Sequence, residues 1–222
     1  MLITAVLFDF DHTLGVDNRL EEHVLSEMAG VYCSVPPSEA SIQTVLYRFR
    51  HVPGVPLDSA LADGLRSWGC PEENIADGVK AFRQRCLAEA PQFVQAIAGA
   101  QQMLAALRAR RTPLGILSNG WTQLQHLKAQ IIGFPGPVLA SEEIGAWKPD
   151  RAAFDIALER FSMVAATTLY VGDNPEMDVA GAKGAGLLAG WADLEGKTYP
   201  ADAPLPDFTV TALLEILNLG TK

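Results

Sequence analysis

Short apolar runs recur along the chain, with helical patterns between them. The first run covers residues 3–8 and stops at Asp9. Others follow at residues 114–117, 138–140, 168–171 and 187–191, with a weaker one at 208–210. Continuous runs of this length are typical of strands buried on both faces, as in parallel sheets. The alternation predicts an α/β fold, a doubly wound and mainly parallel sheet with helices on both faces.

Residues 17–97 interrupt this alternation. Apolar residues there are spaced by three or four positions, which is the spacing of one helix face. Three such stripes are Leu20, Val24, Met28 and Val31; Leu57, Leu61, Leu65 and Trp68; and Ile75, Val79, Phe82 and Cys86. We see no strand pattern in this segment. The sequence therefore predicts an all-helical insert at 17–97 and a discontinuous α/β core at 1–16 and 98–222.

The composition limits the class of protein. The chain has 222 residues, of which 49% are hydrophobic and 19% charged, so it can bury a core and is not expected to be disordered. Its formal net charge of −9 argues against binding to a nucleic acid polymer, because phosphate backbones attract basic surfaces. A small anionic substrate remains compatible, since a few local cations can outweigh the net charge.

Cysteine usage and hydropathy bear on the compartment. The three cysteines, Cys33, Cys70 and Cys86, are odd in number and far apart, so a disulfide framework or zinc cluster is not expected and a reducing cytoplasm fits better. No apolar run approaches the roughly 18 residues that span a bilayer, and the N-terminus lacks a signal-peptide pattern. We therefore expect a cytoplasmic protein with no membrane partner.

Polar residues follow several predicted strands, at the edge where α/β sheets bind ligands. Asp9 and Asp11 follow the first strand, Ser118 and Asn119 the second, and Asp173 and Asp178 the fourth, while Lys148 precedes a helix that begins near Asp150. Taken singly, each carboxylate could merely cap a turn or helix. Taken together, Asp9, Asp11 and Asp173 indicate a hard divalent cation with oxygen ligands, Mg²⁺ being usual with phosphate.

The ordered set resembles the motifs of the haloacid dehalogenase-like hydrolase superfamily. That family has DxDxT, then a strand-end Ser or Thr, then a Lys usually followed by Pro, and finally GDxxxxD. The matching residues are Asp9, Asp11 and Thr13; Ser118; Lys148; and Gly172, Asp173 and Asp178. The resemblance covers nearly the whole chain and implies a Rossmann-like core. The insert matches the family's helical cap in position and helical character.

The resemblance also implies residue roles. Asp9 would be the nucleophile that forms an aspartyl-phosphate, and Asp11 the general acid and base. Mg²⁺ would contact the Asp9 carboxylate, the Asp11 carbonyl and Asp173. Ser118 and the Asn119 amide would hold phosphate oxygens, and Lys148 would neutralise Asp9 and the phosphoryl group. Asp178 would orient Lys148 or a metal-bound water, and Thr13 would shape the nucleophile turn through its hydroxyl.

The function that follows is a Mg²⁺-dependent phosphatase acting on a small phosphorylated metabolite. Asp11 favours phosphoryl chemistry over dehalogenation, because dehalogenases of this superfamily lack an acid there. A phosphomutase, a dehalogenase or a catalytically silent binding module remain alternatives. Residues 118–125 resemble some capped nucleotidases, and sugar phosphates are equally compatible substrates. In the insert, Arg19, Arg48, Arg50 and His51 could contact substrate or form a solvated face. The oligomeric state is not indicated.

Overall fold

A computed structural model describes residues 2–52 and 54–220 of the chain. The chain divides into two compact units, one comprising residues up to Val16 and from Gln95 onward, the other comprising Asp17–Val94. In the described ranges, none of the helices combines the length and the apolar composition needed to cross a membrane.

A parallel sheet forms the centre of the first unit. Its strands, within the described residues, are β1 (Ala5–Phe8), β4 (Leu114–Ser118), β5 (Val138–Ala140), β6 (Thr168–Gly172), β7 (Leu188–Ala192) and β8 (Phe208–Val210). They lie in the order β5-β4-β1-β6-β7-β8, and every pairing is parallel. The predicted fold class and all six predicted strands are confirmed. β1 lies between β4 and β6, where the strand order reverses direction.

Helices connect these strands. In the first unit they are α5 (Ala100–Ala109), α6 (Thr122–Ile131), α7 (Ser141–Ile144), α8 (Arg151–Arg160) and α9 (Gly181–Gly184). A π-helical segment, Pro175–Ala180, precedes α9, and a 3-10 helix, Leu213–Asn218, packs against α5. On one side of the sheet, Phe154 of α8 meets Tyr170 of β6 edge to face, with ring centroids 5.1 Å apart. This contact lies in a cluster of buried side chains that includes residues of β4, β6 and β7.

Four helices make up the second unit: α1 (Leu20–Tyr32), α2 (Glu39–His51), α3 (Leu57–Ser67) and α4 (Glu72–Phe93). α1 packs against α2 and α4, and α3 packs against the same two helices. Trp68, at the end of α3, donates its indole N–H to Ser41 Oγ at 2.6 Å. The helical character of this segment follows the predicted apolar stripes.

The predicted insert included one segment that is not helical. Gln95–Ala96 forms a two-residue strand, β3, which pairs antiparallel with β2 (Gly15–Val16). The segment is too short for an alternating pattern to reveal it in the sequence. The helical unit accordingly ends at Val94 rather than at residue 97.

Three arginines of the helical unit that were candidates for substrate contact form ion pairs within that unit. Arg19 contacts Glu22 and Glu39, and Arg48 contacts Asp63 at 3.0 Å. Arg50 donates from Nε to the buried carboxylate of Glu21 at 2.9 Å. His51 packs against the ring of Tyr47, with centroids 4.9 Å apart. These contacts give the three arginines a structural role inside the unit.

Close packing of β4 generates a testable expectation at Gly115. A Cβ at this position would lie 2.5 Å from the Phe161 ring and 2.8 Å from Leu7. We expect Gly115→Ala to lower the free energy of unfolding by about 1–3 kcal/mol, because two packed side chains must shift. Urea denaturation measures the change. Gly190→Ala is the matched control, since its nearest contacts are at 3.4 Å; equal losses in both variants would contradict the packing explanation.

Candidate active site

The carboxyl ends of three adjacent strands bring the predicted site residues to one edge of the sheet. Asp9 directly follows β1, and its backbone N–H donates to Val171 O of β6 at 2.8 Å. Ser118 is the last residue of β4, and Asp173 directly follows β6. Asp9 and Ser118 are both buried, so each is held by the sheet rather than by a mobile loop.

Main-chain bonds shape the loop after β1. Phe10 O accepts hydrogen bonds from the backbone N–H groups of Thr13, Leu14 and Gly15, at 2.9–3.2 Å. His12 adopts a left-handed conformation with φ 56°, which a tight turn of this kind requires. Thr13 Oγ1 is buried without a hydrogen-bond partner among the described residues. The backbone N–H of Thr13 bonds within the turn, and the role expected for its hydroxyl stays a prediction.

Lys148 is the hub of the site. Its buried ammonium donates to Asp9 Oδ1 at 2.7 Å, to Asp178 Oδ1 at 2.7 Å and to the Tyr170 hydroxyl at 2.8 Å. The Tyr170 hydroxyl in turn donates to Leu117 O of β4 at 2.9 Å. An ammonium has three donors, and all three are engaged. The position of the Asp9 carboxylate is consequently tied to a fixed cation.

Asn119 positions Lys148 through its main chain. The Asn119 side chain donates from Nδ2 to Lys148 O and accepts from Lys148 N, both at 2.9 Å. Both ends of the Asn119 side-chain amide are therefore engaged with the protein. A phosphate contact from Asn119, as the sequence predicted, is then left to its backbone N–H.

Asp178 contacts Lys148, and its role in orienting that residue stays a prediction. Its Oδ1 accepts from Lys148 and lies 3.3 Å from the Tyr170 hydroxyl oxygen, and its Oδ2 accepts from the Asn174 backbone N–H at 2.9 Å. Asn174 caps the π-helical segment by accepting from the N–H groups of Glu176 and Met177, both at 2.9 Å. Asp178 thus holds Lys148 from one side while the segment that carries it is fixed by its own cap.

Electrostatics at the hub are dominated by burial. Burial raises the pKa of Asp9 to about 6; the nearby Lys148 opposes this, and Asp178 and Asp11 add to it. Burial alone would lower the pKa of Lys148, but Asp178 and Asp9 outweigh it and raise that pKa. Burial also raises the pKa of Asp173, with the Asp9 charge as the next cause. The site therefore concentrates negative charge that a single ammonium does not fully neutralise.

One group of carboxylates has the spacing of a cation site. Oxygens of Asp9, Asp173 and Asp178 lie within 4.8 Å of one another. Asp178 has both oxygens engaged by protein donors, whereas Asp9 and Asp173 each bond one oxygen, to Lys148 and Lys197 respectively. In the part of the chain that the structure describes, no donor reaches their second oxygens. Oxygen donors and excess negative charge fit a hard divalent cation held by Asp9 and Asp173.

Asp11 lies outside that carboxylate group. Its Oδ1 accepts from Lys128 Nζ at 2.9 Å, and its Oδ2 accepts from Gln125 Nε2 at 3.3 Å. The Asp11 side chain is 32% exposed, so it remains accessible beside these two donors. Sequence reasoning missed Gln125 and Lys128 as site residues, since the apolar stripe of α6 gave no sign that polar residues share its buried face.

A second polar network borders the site. His12 Nδ1 lies 3.1 Å from Glu195 Oε1, and Lys197 Nζ lies 3.2 Å from Glu195 and 3.1 Å from Asp173. His12 is largely exposed and bonds to Glu195 rather than to Asp9 or Asp11. Glu195 and Lys197 belong to the segment after β7, and nothing in their sequence surroundings marked them as neighbours of Asp173.

The family of the chain follows from comparison with known proteins. Residues 3–186 match the model of the haloacid dehalogenase-like hydrolase family. The chain belongs to this family. Membership confirms the resemblance drawn from the motifs and makes the protein a hydrolase of the haloacid dehalogenase-like type.

Relatives within the family have different activities. The pyrimidine 5'-nucleotidase YjjG of Escherichia coli (strain K12) is 33% identical over 128 residues, covering 56% of each chain. A phosphoserine phosphatase of Thermus thermophilus is 38% identical over 120 residues, covering 53% of this chain and 48% of the relative. The chain thus spans about half the length of these curated relatives.

A solved structure is similar over almost the full length. The 2-haloacid dehalogenase of Pseudomonas syringae pv. Tomato DC3000 is 26% identical, covers 98% of this chain and 97% of its own, and superposes with a TM-score of 0.77. A dehalogenase therefore shares this architecture, while a relative by sequence is a phosphatase. The chemistry has to be argued from the residues of the site.

The buried carboxylate of Asp9 predicts a pH dependence. Because its pKa of about 6 exceeds the ordinary 3.8, its contribution to stability is fully present below pH 3.8 and lost as the pH rises through 6. In the presence of a chelator, we expect the unfolding temperature of the wild type to fall as the pH rises through this range. The unfolding temperature of Asp9→Asn should lack this component. Unfolding scans between pH 4 and 7 test this.

The exposed Asp202→Asn is the control for the change of net charge, and its pH profile should follow the wild type. Parallel profiles for Asp9→Asn and the wild type would show that the burial of Asp9 does not affect stability in this way.

Proposed function

We propose that the protein is a Mg²⁺-dependent phosphatase that hydrolyses a small phosphate monoester through an aspartyl-phosphate on Asp9. The observation that carries this proposal is the buried arrangement of Asp9 and Lys148, with Asp11 two residues further along the same loop. A buried carboxylate, a fixed ammonium and a second, accessible carboxylate lie together, which supports these roles. Membership of a hydrolase family that includes phosphatases supports it.

Asp9 acts as the nucleophile in this proposal. A carboxylate is a weak nucleophile, so its orientation and the neutralisation of charge supply most of the catalysis. Lys148 donates to Asp9 Oδ1 and so fixes the orientation of the carboxylate that attacks phosphorus. The same ammonium offsets negative charge as the phosphoryl group approaches Asp9. Asp178 and Tyr170 keep Lys148 in place during the transfer.

Asp11 serves as general acid and then as general base. It gives a proton to the leaving alcohol and later takes one from the water that hydrolyses the aspartyl-phosphate. This role requires a carboxylate that is accessible and is not a metal ligand. The Asp11 side chain meets both requirements, since it is 32% exposed and lies outside the group formed by Asp9, Asp173 and Asp178.

Mg²⁺ fits the remaining oxygen donors. Asp9, Asp173 and the backbone carbonyl of Asp11 would hold it, and when bound it would neutralise charge on the phosphoryl oxygens. Ser118 and the backbone N–H of Asn119 are the proposed phosphate donors. Thr13 stays a prediction as a phosphate-binding residue.

The substrate is proposed to be a small phosphorylated metabolite. The partial similarity to a pyrimidine 5'-nucleotidase makes a nucleoside monophosphate one candidate, and the similarity to a phosphoserine phosphatase makes a small organic phosphate another. Sugar phosphates belong to the same chemical class and to the same substrate panel.

Dehalogenation is the second candidate, favoured by the full-length similarity to a solved 2-haloacid dehalogenase. Halide departs without a proton, so a dehalogenase needs no acid near its leaving group. The presence of Asp11, held by two side chains, therefore favours an alcohol leaving group and phosphoryl chemistry.

Substitution of the nucleophile tests the proposal. We expect the wild type to release phosphate from at least one monoester in a panel of nucleotides, sugar phosphates, phosphoserine and an aryl phosphate, and to lose activity when Mg²⁺ is chelated. Asp9→Asn should reduce turnover by a factor of about 10⁴ or more, because an amide cannot form the phosphoenzyme. Released phosphate is the measurement, with circular dichroism as the check of folding.

Ion chromatography for halide released from 2-chloropropionate, run in parallel, separates the two candidates. Halide release without phosphate release would establish the dehalogenase and exclude the phosphatase. If Asp9→Asn still released phosphate at the wild-type rate, Asp9 would not be the nucleophile.

A further inference from the structure

Two side chains of one helix donate hydrogen bonds to the Asp11 carboxylate from the same side. Gln125 and Lys128 are three residues apart on α6, so they lie on one face about one turn apart. Lys128 Nζ contacts Oδ1 at 2.9 Å and Gln125 Nε2 contacts Oδ2 at 3.3 Å. Each carboxylate oxygen therefore has its own donor, and rotation about the last side-chain bond of Asp11 would break both contacts.

The orientation of the Gln125 amide is set by acceptors alone. Its Nε2 donates to Asp11 Oδ2 and to the backbone carbonyl of Asn119, both at 3.3 Å. The opposite oxygen, Oε1, is buried without a hydrogen-bond partner among the described residues. Reversing the amide would set that oxygen against two other oxygens. The fold thus leaves a buried acceptor unsatisfied while a donor points at Asp11. An unsatisfied buried acceptor lowers stability, so this orientation indicates that the bond to Asp11 has a role.

Lys128 is unusual in its burial. It is only 1% exposed, although lysine is almost never fully buried without a charged partner. Its ammonium also lies 5.9 Å from the centre of the Phe10 ring, and Phe10 stands between Asp9 and Asp11 in the sequence. Lys128 therefore contacts the nucleophile loop at both Phe10 and Asp11. A lysine placed only for packing or surface charge would not need this desolvated position.

From these contacts we propose that Gln125 and Lys128 are positioning residues that fix the Asp11 carboxylate for proton transfer to the leaving group. This inference rests on the proposed function. Neither residue touches the phosphoryl group in the proposal. Both act through Asp11, whose exposed side remains open to the leaving alcohol.

The test uses leaving groups that differ in their need for a proton. An alkyl phosphate requires an acid, whereas 2,4-dinitrophenyl phosphate releases a stable anion. In rapid-mixing experiments with Mg²⁺, we expect Lys128→Met to slow phosphorylation by the alkyl phosphate by about 10- to 100-fold, part of the usual contribution of a general acid. The burst of dinitrophenolate should remain within about threefold of the wild type, because that step needs no proton.

A double-variant comparison shows whether Lys128 acts through Asp11. In an Asp11→Asn background the acid is already absent, so adding Lys128→Met should slow alkyl phosphorylation little further, within about threefold. Gln125→Met should show the same preference for leaving groups with a smaller effect, and it carries the test if Lys128→Met does not fold. Thermal unfolding is measured for every variant.

Two matched controls lie in the same unit. Gln130→Met removes an exposed amide from α6, and Lys183→Met removes an ammonium that pairs with Asp207 at 3.0 Å. Both should keep wild-type kinetics with both substrates. Equal slowing of both leaving groups by Lys128→Met and Gln125→Met, or additive effects in the Asp11→Asn background, would overturn the positioning role and leave the proposed function intact. Absence of phosphate-ester turnover by the wild type with every substrate would instead overturn the proposed function, and the inference with it.

Discussion

A buried ammonium group organises this site. Lys148 has three donors, and the protein directs them at two carboxylates and a tyrosine hydroxyl. Removing these charges from water is expensive unless each finds a partner, so the positions of Asp9, Asp178 and Tyr170 are mutually dependent. The sheet supplies Asp9 and Tyr170 on neighbouring strands, and the π-helical segment supplies Asp178. The remaining polar residues of the site either support this network or stay accessible beside it.

Two carboxylates of one loop are thereby assigned to different environments. Asp9 is buried against Lys148 and beside Asp173, where negative charge accumulates. Asp11, two residues later, turns toward α6 and keeps one side exposed. Main-chain hydrogen bonds to Phe10 O fold the loop tightly after Asp9. The side chains of Asp9 and Asp11 therefore point to different surroundings. Neighbours in sequence can therefore take separate chemical roles without competing for the same cation.

The fold and the hub were accessible from sequence because both depend on local patterns. Uninterrupted apolar runs marked the six strands, and Asp9, Ser118, Lys148 and Asp173 stood where such runs or a helix began or ended. Gln125, Lys128 and Tyr170 were not accessible in that way. Tyr170 is part of an apolar strand pattern, and the two α6 residues share a helix face with apolar neighbours. Only the approach of distant segments shows that their polar ends meet Lys148 and Asp11.

The place of β1 in the sheet has a consequence for how the protein is made. β1 is synthesised before both of its neighbours, because β4 begins at residue 114 and β6 at residue 168. The loop carrying Asp9 and Asp11 therefore cannot acquire its surroundings until β6 has been synthesised. The helical unit, residues 17–94, is continuous in sequence and precedes β4, so it can form during that interval. Assembly of this edge of the sheet is thus completed only when β6 joins β1.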